Sequence, residues 1–366
     1  MRRRHFETLR PICPRCRAQG AGDHPLRLAA VFEESDADVL SGVLHCPDAA
    51  CQREFPVLDG IPLLVPDVQR YVADNLFYLN ARDDLPPAIA SLLGDCAGSG
   101  SVFDVARQHL SIYAWDGFAE FDAAEASGGI EPGAVARCLE RALGLTGGRG
   151  GSPIVDVGCA VGRSTFELAN HVDGLVLGVD LSIPMLRLAR EALRHGTVRY
   201  PRRRVGVVYD VREFPVSFAG SERVDFWACD ALALPFTDGA FAQAVALNVL
   251  DCVASPLDML SGLARVLRPG ASALLSTPYD WSPGATAPPA WIGGHSQRGE
   301  ERGASEPLLR RLLRGGGHPL EVRELRLVGE LEHFPWHARL HDRALVSYDV
   351  HVIALESVER DEPAAR

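Results

Sequence analysis

The sequence predicts an α/β protein built on a doubly wound, mostly parallel seven-stranded sheet, with a small metal-binding ribbon and a helical segment ahead of it. Three observations predict this. From Pro153 onward, short apolar runs alternate with amphipathic helical patterns, as parallel strands joined by crossover helices require. The first of these runs passes straight into a glycine turn, in the stretch "IVDVGCAVGRSTFEL" at 154–168. Four of the nine cysteines, Cys13, Cys16, Cys46 and Cys51, are grouped near the start, whereas the other five are scattered.

Composition bounds the class. The 366 residues are 47% hydrophobic with a mean hydropathy of +0.01, ordinary for a globular chain. No apolar run approaches the roughly 20 residues that span a bilayer. The start, "MRRRHFETLRPICPRC", is basic but lacks an apolar core, so a cytoplasmic location is expected. The net charge of −11 disfavours a general nucleic-acid binder. Arg202 to Arg204, and Arg310, Arg311 and Arg314, read as solvated surface charge. The chain contains no lysine, which excludes a Schiff-base or P-loop lysine.

Taken in order, residues 1–66 form the ribbon. Cys13-Pro-Arg-Cys16 and Cys46-Pro-Asp-Ala-Ala-Cys51 are two knuckles about 30 residues apart, able to close a tetrahedral thiolate site for structural Zn2+. A unit this small gains little from apolar burial, so a metal is physically useful. The second pair has an x4 spacing where x2 is usual, which leaves His24 and His45 as substitute ligands and four unligated thiols as the bland alternative. "REFPVLDGIPLLVPD" reads as strand, Asp59-Gly60 turn, strand. Residues 67–148 read as helical and as a cover on the substrate side. Tyr113, Trp115 and Phe118 there line a pocket or simply fill the core. "TGGRGGS", 146–152, is a joint.

Residues 149–358 carry the sheet. Strands are expected at 153–158, 175–180, 223–230, 240–248 and 271–278, with two more at 320–331 and 343–356. The helix after Ser182 has Pro184 in its first turn and Gly196 as its stop.

The turn lacks the G-x-G-x-x-G of dinucleotide sites: its glycines are Gly158 and Gly162, with Ala160 between them. Asp156 just before it is awkward beside a pyrophosphate and welcome beside an ammonium. That favours S-adenosylmethionine, which carries an ammonium and no phosphate. Asp180, 22 residues after Gly158, is placed to accept ribose hydroxyls, and Asp230 to meet adenine. Each acid alone reads equally as a helix N-cap. Three at the ends of three successive strands point to a ligand.

The motifs "VDVGCAVGRSTFEL", "GVDLS", "CDALALPF", "ALNVLD" and "RVLRPGASALLSTP" together resemble a class I S-adenosylmethionine-dependent methyltransferase with its Rossmann-like sheet, over roughly 100–355. "GCAVGRSTFEL", "RVDFWACDALAL", "NVLD" and "TPYDW…WIGG" resemble, more narrowly, the mercaptohistidine methyltransferase domain at the end of ovothiol-synthesising enzymes, which also carries an extra segment before strand three, here about 197–222. That resemblance implies methyl transfer to a small thiol- or imidazole-containing acceptor such as thiolated histidine. It implies that Asp156, Gly158, Cys159, Ala160, Gly162, Asp180, Leu181, Asp230, Ala231 and Asn248 hold the cofactor. It also implies that Asn248, Asp251, Tyr279, Trp281 and Trp291 face the acceptor, with Tyr113 and Trp115 added from the helical cover. "CPRC…CPDAAC…FPVLDGIPLLVPD" resembles the zinc ribbon of the small activator of tRNA and protein methyltransferases, and the ribbon preceding rRNA guanine methyltransferases.

Methyl transfer is in-line displacement, so positioning dominates. An oxygen nucleophile would also need a base. Asp251, Tyr279 and His295 are the candidates, with Asn248 orienting the acceptor; His295 reads equally as an exposed loop residue. The loop 281–301 reads as a lid or as a plain insertion. Two readings stand beside a small-molecule enzyme: an RNA base methyltransferase that grips RNA with the ribbon, and a non-catalytic cofactor-binding activator of a partner.

Overall fold

The structure is a computed structural model and describes residues 1–82, 85–125, 130–148, 150–314 and 318–358. Arg149, in the expected joint, lies outside the described residues. The strands are β1 (Arg27–Ser35), β2 (Asp38–His45), β3 (Glu54–Leu58), β4 (Ile61–Leu64), β5 (Ile154–Val157), β6 (Val176–Asp180), β7 (Thr197–Val205), β8 (Val208–Pro215), β9 (Val224–Cys229), β10 (Phe241–Leu247), β11 (Leu267–Thr277), β12 (Leu325–His341) and β13 (Ala344–Ser357). The helices are α1 (Arg3–Leu9), α2 (Pro14–Ala18), α3 (Val68–Asn80), α4 (Pro87–Ala97), α5 (Val102–Phe118), α6 (Ala134–Leu145), α7 (Arg163–Ala169), α8 (Ile183–His195), α9 (Pro256–Val266) and α10 (Ser305–Leu313).

One sheet runs through the molecule in the order β1-β2-β3-β4-β9-β6-β5-β10-β11-β13-β12. Its centre, β4 to β11, is parallel and both flanks are antiparallel. The expected seven-stranded sheet is therefore corrected to eleven strands. The reason is local: β4 pairs in parallel with β9, Leu63 opposite Ala228 and Leu64 opposite Cys229, so the ribbon's meander extends the sheet. β4 and β9 are buried along their whole length, as central parallel strands are.

The ribbon's hairpin turns as its residues dictate. Asp59 and Gly60 have φ of 52° and 76°, the left-handed pair of a tight two-residue turn. Gly60 is also required by space, because a Cβ there would lie 2.1 Å from Nη2 of Arg190. Arg190 is 1% exposed and donates to Asp225 Oδ1 at 2.8 Å and to Asp38. One turn earlier on the same face of α8, Arg187 donates to Asp59 Oδ2 at 2.9 Å and to the carbonyls of Tyr78 and Leu79 at 2.6 and 2.7 Å. Those carbonyls end α3, so Arg187 caps that helix while holding the ribbon turn. Against the cost of burial, the Met1 ammonium and Arg190 hold Asp225 well below the usual carboxylate range.

The segment 197–222 forms a separate hairpin, β7 with β8. It is fixed to α5 through Arg203 N to Ser111 Oγ (2.8 Å) and Tyr209 Oη to Asp104 Oδ1 (2.8 Å). Among the described residues no helix is long and apolar enough to cross a membrane.

Arg190→Met leaves Asp38 and Asp225 with the Met1 ammonium alone as their shared cation. Chemical denaturation is expected to show a loss of about 3–5 kcal/mol. An unchanged midpoint would mean that the N-terminal strands are not held through this arginine.

Candidate functional site

The carboxyl ends of β6, β5, β10 and β11 form one rim. Three non-glycine residues on it adopt left-handed backbone: Ala160 (φ 47°) after β5, Asn248 (φ 55°) after β10 and Tyr279 (φ 55°) after β11. Asparagine tolerates this conformation, whereas for alanine and tyrosine it is strain of order 1–3 kcal/mol that surrounding structure must hold.

The glycine turn is built by neighbouring strands. Gly158 and Cys159 donate their amides to Val179 O at 2.8 and 3.1 Å, and Gly162 donates to Cys159 O at 2.8 Å. Gly158 must lack a side chain, since a Cβ would lie 2.4 Å from Val249 Cγ2. Asp156 sits beneath the turn, 1% exposed, and its Oδ2 accepts from Ser164 Oγ (2.6 Å) and Thr165 Oγ1 (2.7 Å). It ties β5 to the first turn of α7, and burial pushes its carboxyl up to about 6. Asp180 Oδ2 accepts from Ala160 N at 2.9 Å and Oδ1 from Ser182 N at 2.7 Å; burial raises its pKa. Asp230 Oδ1 accepts from Leu232 N at 2.9 Å, and Ala231 beside it is half-buried. Neither acid is the helix N-cap that each alone could have been: α8 is entered through Ser182, no helix follows Asp230, and both carboxylates instead brace the turn two residues on.

The helical cover lies over Asp180. Tyr71 on α3 donates to Leu181 O at 2.5 Å. A cavity of about 280 Å³ opens between Asn75, Tyr78, His109, Asp180, Leu181 and Ser182, close to the lower end of the ~300–1,000 Å³ of small-molecule sites. It is large enough for a nucleoside-sized group against the Asp180 carboxylate, so these residues fit the expected cofactor. Tyr113, on α5, lies within electrostatic reach of Asp180, Asp251, Cys252 and Tyr348, and burial pushes its hydroxyl up. Trp115 is 3% exposed and donates to Glu125 Oε1 at 3.2 Å, which places it in the core.

At the other end of the rim, Asn248 Oδ1 accepts from Ser276 Oγ at 2.8 Å. Asp251 is 2% exposed; it accepts from Asp280 N at 2.8 Å and from Thr277 Oγ1 at 3.3 Å, bracketing the loop after β11, and burial raises its pKa. Trp281 and Trp291 stack at 6.2 Å, and Tyr279 lies 6.5 Å from Trp281. His295 is exposed on the loop, and no hydrogen bond joins it to Tyr279. Sequence reasoning missed two residues here. Tyr279 Oη meets His351 Nδ1 at 2.7 Å, and His351 Nε2 meets Glu330 Oε2 at 3.1 Å. Both lie in the late antiparallel strands, β13 and β12, where a polar residue in an alternating pattern carries no sign of its partner.

The ribbon brings its four cysteines together. The Sγ atoms of Cys13 and Cys51, and of Cys16 and Cys46, lie 3.8 Å apart, and all four fall within 4.8 Å of one another. Tetrahedral zinc with Zn–S near 2.3 Å demands sulfurs ~3.8 Å apart, so the donor set fits the ion in number, chemistry and spacing. The wide x4 loop is absorbed by a turn in which Cys51 N donates to Asp48 O at 3.1 Å. His45 stays outside the sulfur group, and His24 reaches Ala21 O at 3.0 Å.

Residues 155–275 match the family model described as a methyltransferase domain. The chain is 31% identical over 126 residues to the O-methyltransferase cnsE of Penicillium expansum, covering 34% of this chain and 38% of that protein. It is 26% identical over 137 residues to the 27-O-demethylrifamycin SV methyltransferase of Amycolatopsis mediterranei, covering 37% and 42%. The chain thus spans less than half the length of these curated relatives. Among solved structures it is similar to the CcbJ methyltransferase from Streptomyces caelestis, with a TM-score of 0.41 and 16% identity, covering 69% of this chain and 99% of that one.

Elemental analysis of the purified chain is expected to return about one zinc per molecule. Cys16→Ser should lower the melting temperature by roughly 5 °C or more. Metal-free chain at full melting temperature would show that the four thiols need no ion.

Proposed function

We propose that this chain is an S-adenosylmethionine-dependent methyltransferase acting on a small-molecule acceptor. The observation that carries it is the pair of carboxylates, Asp180 and Asp230, at the ends of adjacent parallel strands beside the glycine turn of a methyltransferase domain. Asp180 would hold the ribose hydroxyls and Asp230 would meet the adenine. The amides and small side chains of 158–162 would let the amino-acid end approach. The cofactor supplies a methyl group already activated by its sulfonium. The protein's part is then alignment, worth on the order of 7–11 kcal/mol, and exclusion of water. Tyr113, Tyr279, Trp281 and Asn248 would shape the acceptor side.

For the acceptor we infer a thiol- or imidazole-bearing small molecule such as thiolated histidine, on the resemblance of "GCAVGRSTFEL" and "TPYDW…WIGG". A hydroxyl acceptor stands beside it, because curated relatives are O-methyltransferases by name. The RNA reading is the weaker one. Arg202 is spent on Glu125 and Asp342 at 2.8 and 2.7 Å, and Arg204 lies 3.6 Å from Asp210. Arg311 and Arg314 pair with Glu300 and Glu330 at 2.6 and 3.2 Å. Few of these cations are left for phosphates.

Calorimetry should show S-adenosylhomocysteine binding to the wild type and a 10- to 100-fold weaker affinity in Asp180→Asn, roughly the value of a hydrogen bond to a charged group. S-adenosylhomocysteine release should appear with a panel of thiolated histidine, simple thiols and phenols. Release with total RNA alone would overturn the small-molecule reading. Binding without release on any acceptor would leave the partner-activator reading in its place.

A further inference from the structure

We propose that Tyr279, His351 and Glu330 form a proton relay for the acceptor, with Tyr279 as the group that touches it and His351 and Glu330 as positioning residues behind it. This role presupposes the methyl-transfer reading given above.

The geometry is that of a chain of donors and acceptors with one consistent proton assignment. Glu330 is fixed by Arg310, whose Nε donates to its Oε2 at 2.7 Å, and by Arg314 at 3.2 Å. Burial opposes ionisation of Glu330, but its bonds from Arg310 and His351 hold it below the usual carboxylate range. A carboxylate only accepts, so His351 Nε2 must carry the proton of the 3.1 Å contact. The neutral ring then presents a bare Nδ1, which can only accept from the Tyr279 hydroxyl 2.7 Å away. His351 is 2% exposed, and burial keeps it neutral below its ordinary value against the pull of Glu330.

The other end of the chain opens on the rim. Tyr279 is half-buried and held in left-handed backbone, on the carboxyl end of the strand next to Asn248. Its hydroxyl lies within electrostatic reach of Asp251, which Tyr113 also senses along with Asp180. Tyr279 thus combines a strained backbone at a strand end with a hydroxyl bonded to a buried imidazole.

The step balances without a further reagent. As the acceptor oxygen or sulfur forms its bond to the methyl carbon, its proton passes to Tyr279 Oη. The Tyr279 O–H bond breaks towards His351 Nδ1, giving an imidazolium beside the Glu330 carboxylate. The electron pair of the broken carbon–sulfur bond stays on the cofactor's sulfur. The proton returns through Tyr279 to water when product leaves.

The groups that set the pH response are Glu306 and Arg310 on α10, Arg314 just beyond it, Glu330 on β12 and Asp251 after β10. The relay needs neutral His351, so turnover is lost as pH falls through the imidazole's pKa, which lies below 6.5. Two measurements on the full chain test it. In ¹⁵N-histidine NMR, His351 should be neutral at pH 7 with its proton on Nε2, and Tyr279→Phe should shift Nδ1. A proton on Nδ1 would overturn the relay with no turnover assay involved. In S-adenosylhomocysteine release with phenol and thiolated histidine as probes, Tyr279→Phe and His351→Asn should lower kcat about 100-fold or more, with S-adenosylhomocysteine affinity within about twofold of wild type. His351→Asn should also lose the acid limb, and Glu330→Gln should move it to lower pH. Wild-type-like kcat and pH profile in His351→Asn would sink the relay alone; a wild type that binds S-adenosylhomocysteine and turns over no probe would sink the methyl-transfer reading with it.

Discussion

The structure depends on the seam between β4 and β9. Two residue pairs, Leu63 with Ala228 and Leu64 with Cys229, convert two folding units into one sheet. Backbone pairing of that length is weak by itself, and α8 reinforces it with two arginines on one face. Arg190 lies between Asp38 of the ribbon and Asp225 of β9, and the charges are buried together. Such a cluster adds little net stability over an apolar one of the same volume, but it is intolerant of a missing member and so fixes register. From the seam the chain turns at Pro66, and the Asp67 side chain accepts from Arg70 N at 3.0 Å to start α3 over Asp180. The ribbon, the seam, the cover and Asp180 are therefore consecutive links.

On the rim, chemistry and strain coincide. Three neighbouring parallel strands each end in a non-glycine left-handed residue. Each is held from outside: Ala160 by Asp180, Asn248 by Ser276, and Tyr279 by Thr277 and His351. Asp180 of β6, Ser276 and Thr277 of β11 and His351 of β13 supply these bonds, so neighbouring strands brace one another along the rim. Tyr113 of α5 lies within electrostatic reach of Asp180 and of Asp251.

Much of this was legible in the residues. The strand–turn–helix at 154–168, Asp180 and Asp230 follow from period, turn chemistry and the acids' places at strand ends. The cysteine pairs and the Asp59-Gly60 turn were equally plain. What could not be read was anything depending on which strands become neighbours. "IPLLV" reads the same whether it closes a free ribbon or lies beside "VDFWAC". Arg187 and Arg190 look like the solvent face of an amphipathic helix, and only the fold puts carboxylates opposite them. Asp156 precedes the turn as an ammonium partner would, yet hydroxyls eight and nine residues on bind it from below. His351 and Glu330 are 72 and 51 positions from Tyr279, and antiparallel return strands bring them to it.

The eleven-strand order also settles where the sheet stops. Without the ribbon, β9 would be an outermost strand of six buried residues, "VDFWAC", with unpaired backbone and almost no charge. That is the composition most prone to recruit another chain. The meander moves the border outward to β1, where Glu33 and Glu34 stand among three breaks in register against β2. Irregular, charged borders pair poorly with strangers. The N-terminal unit therefore covers an edge that would otherwise be open to pairing with another chain.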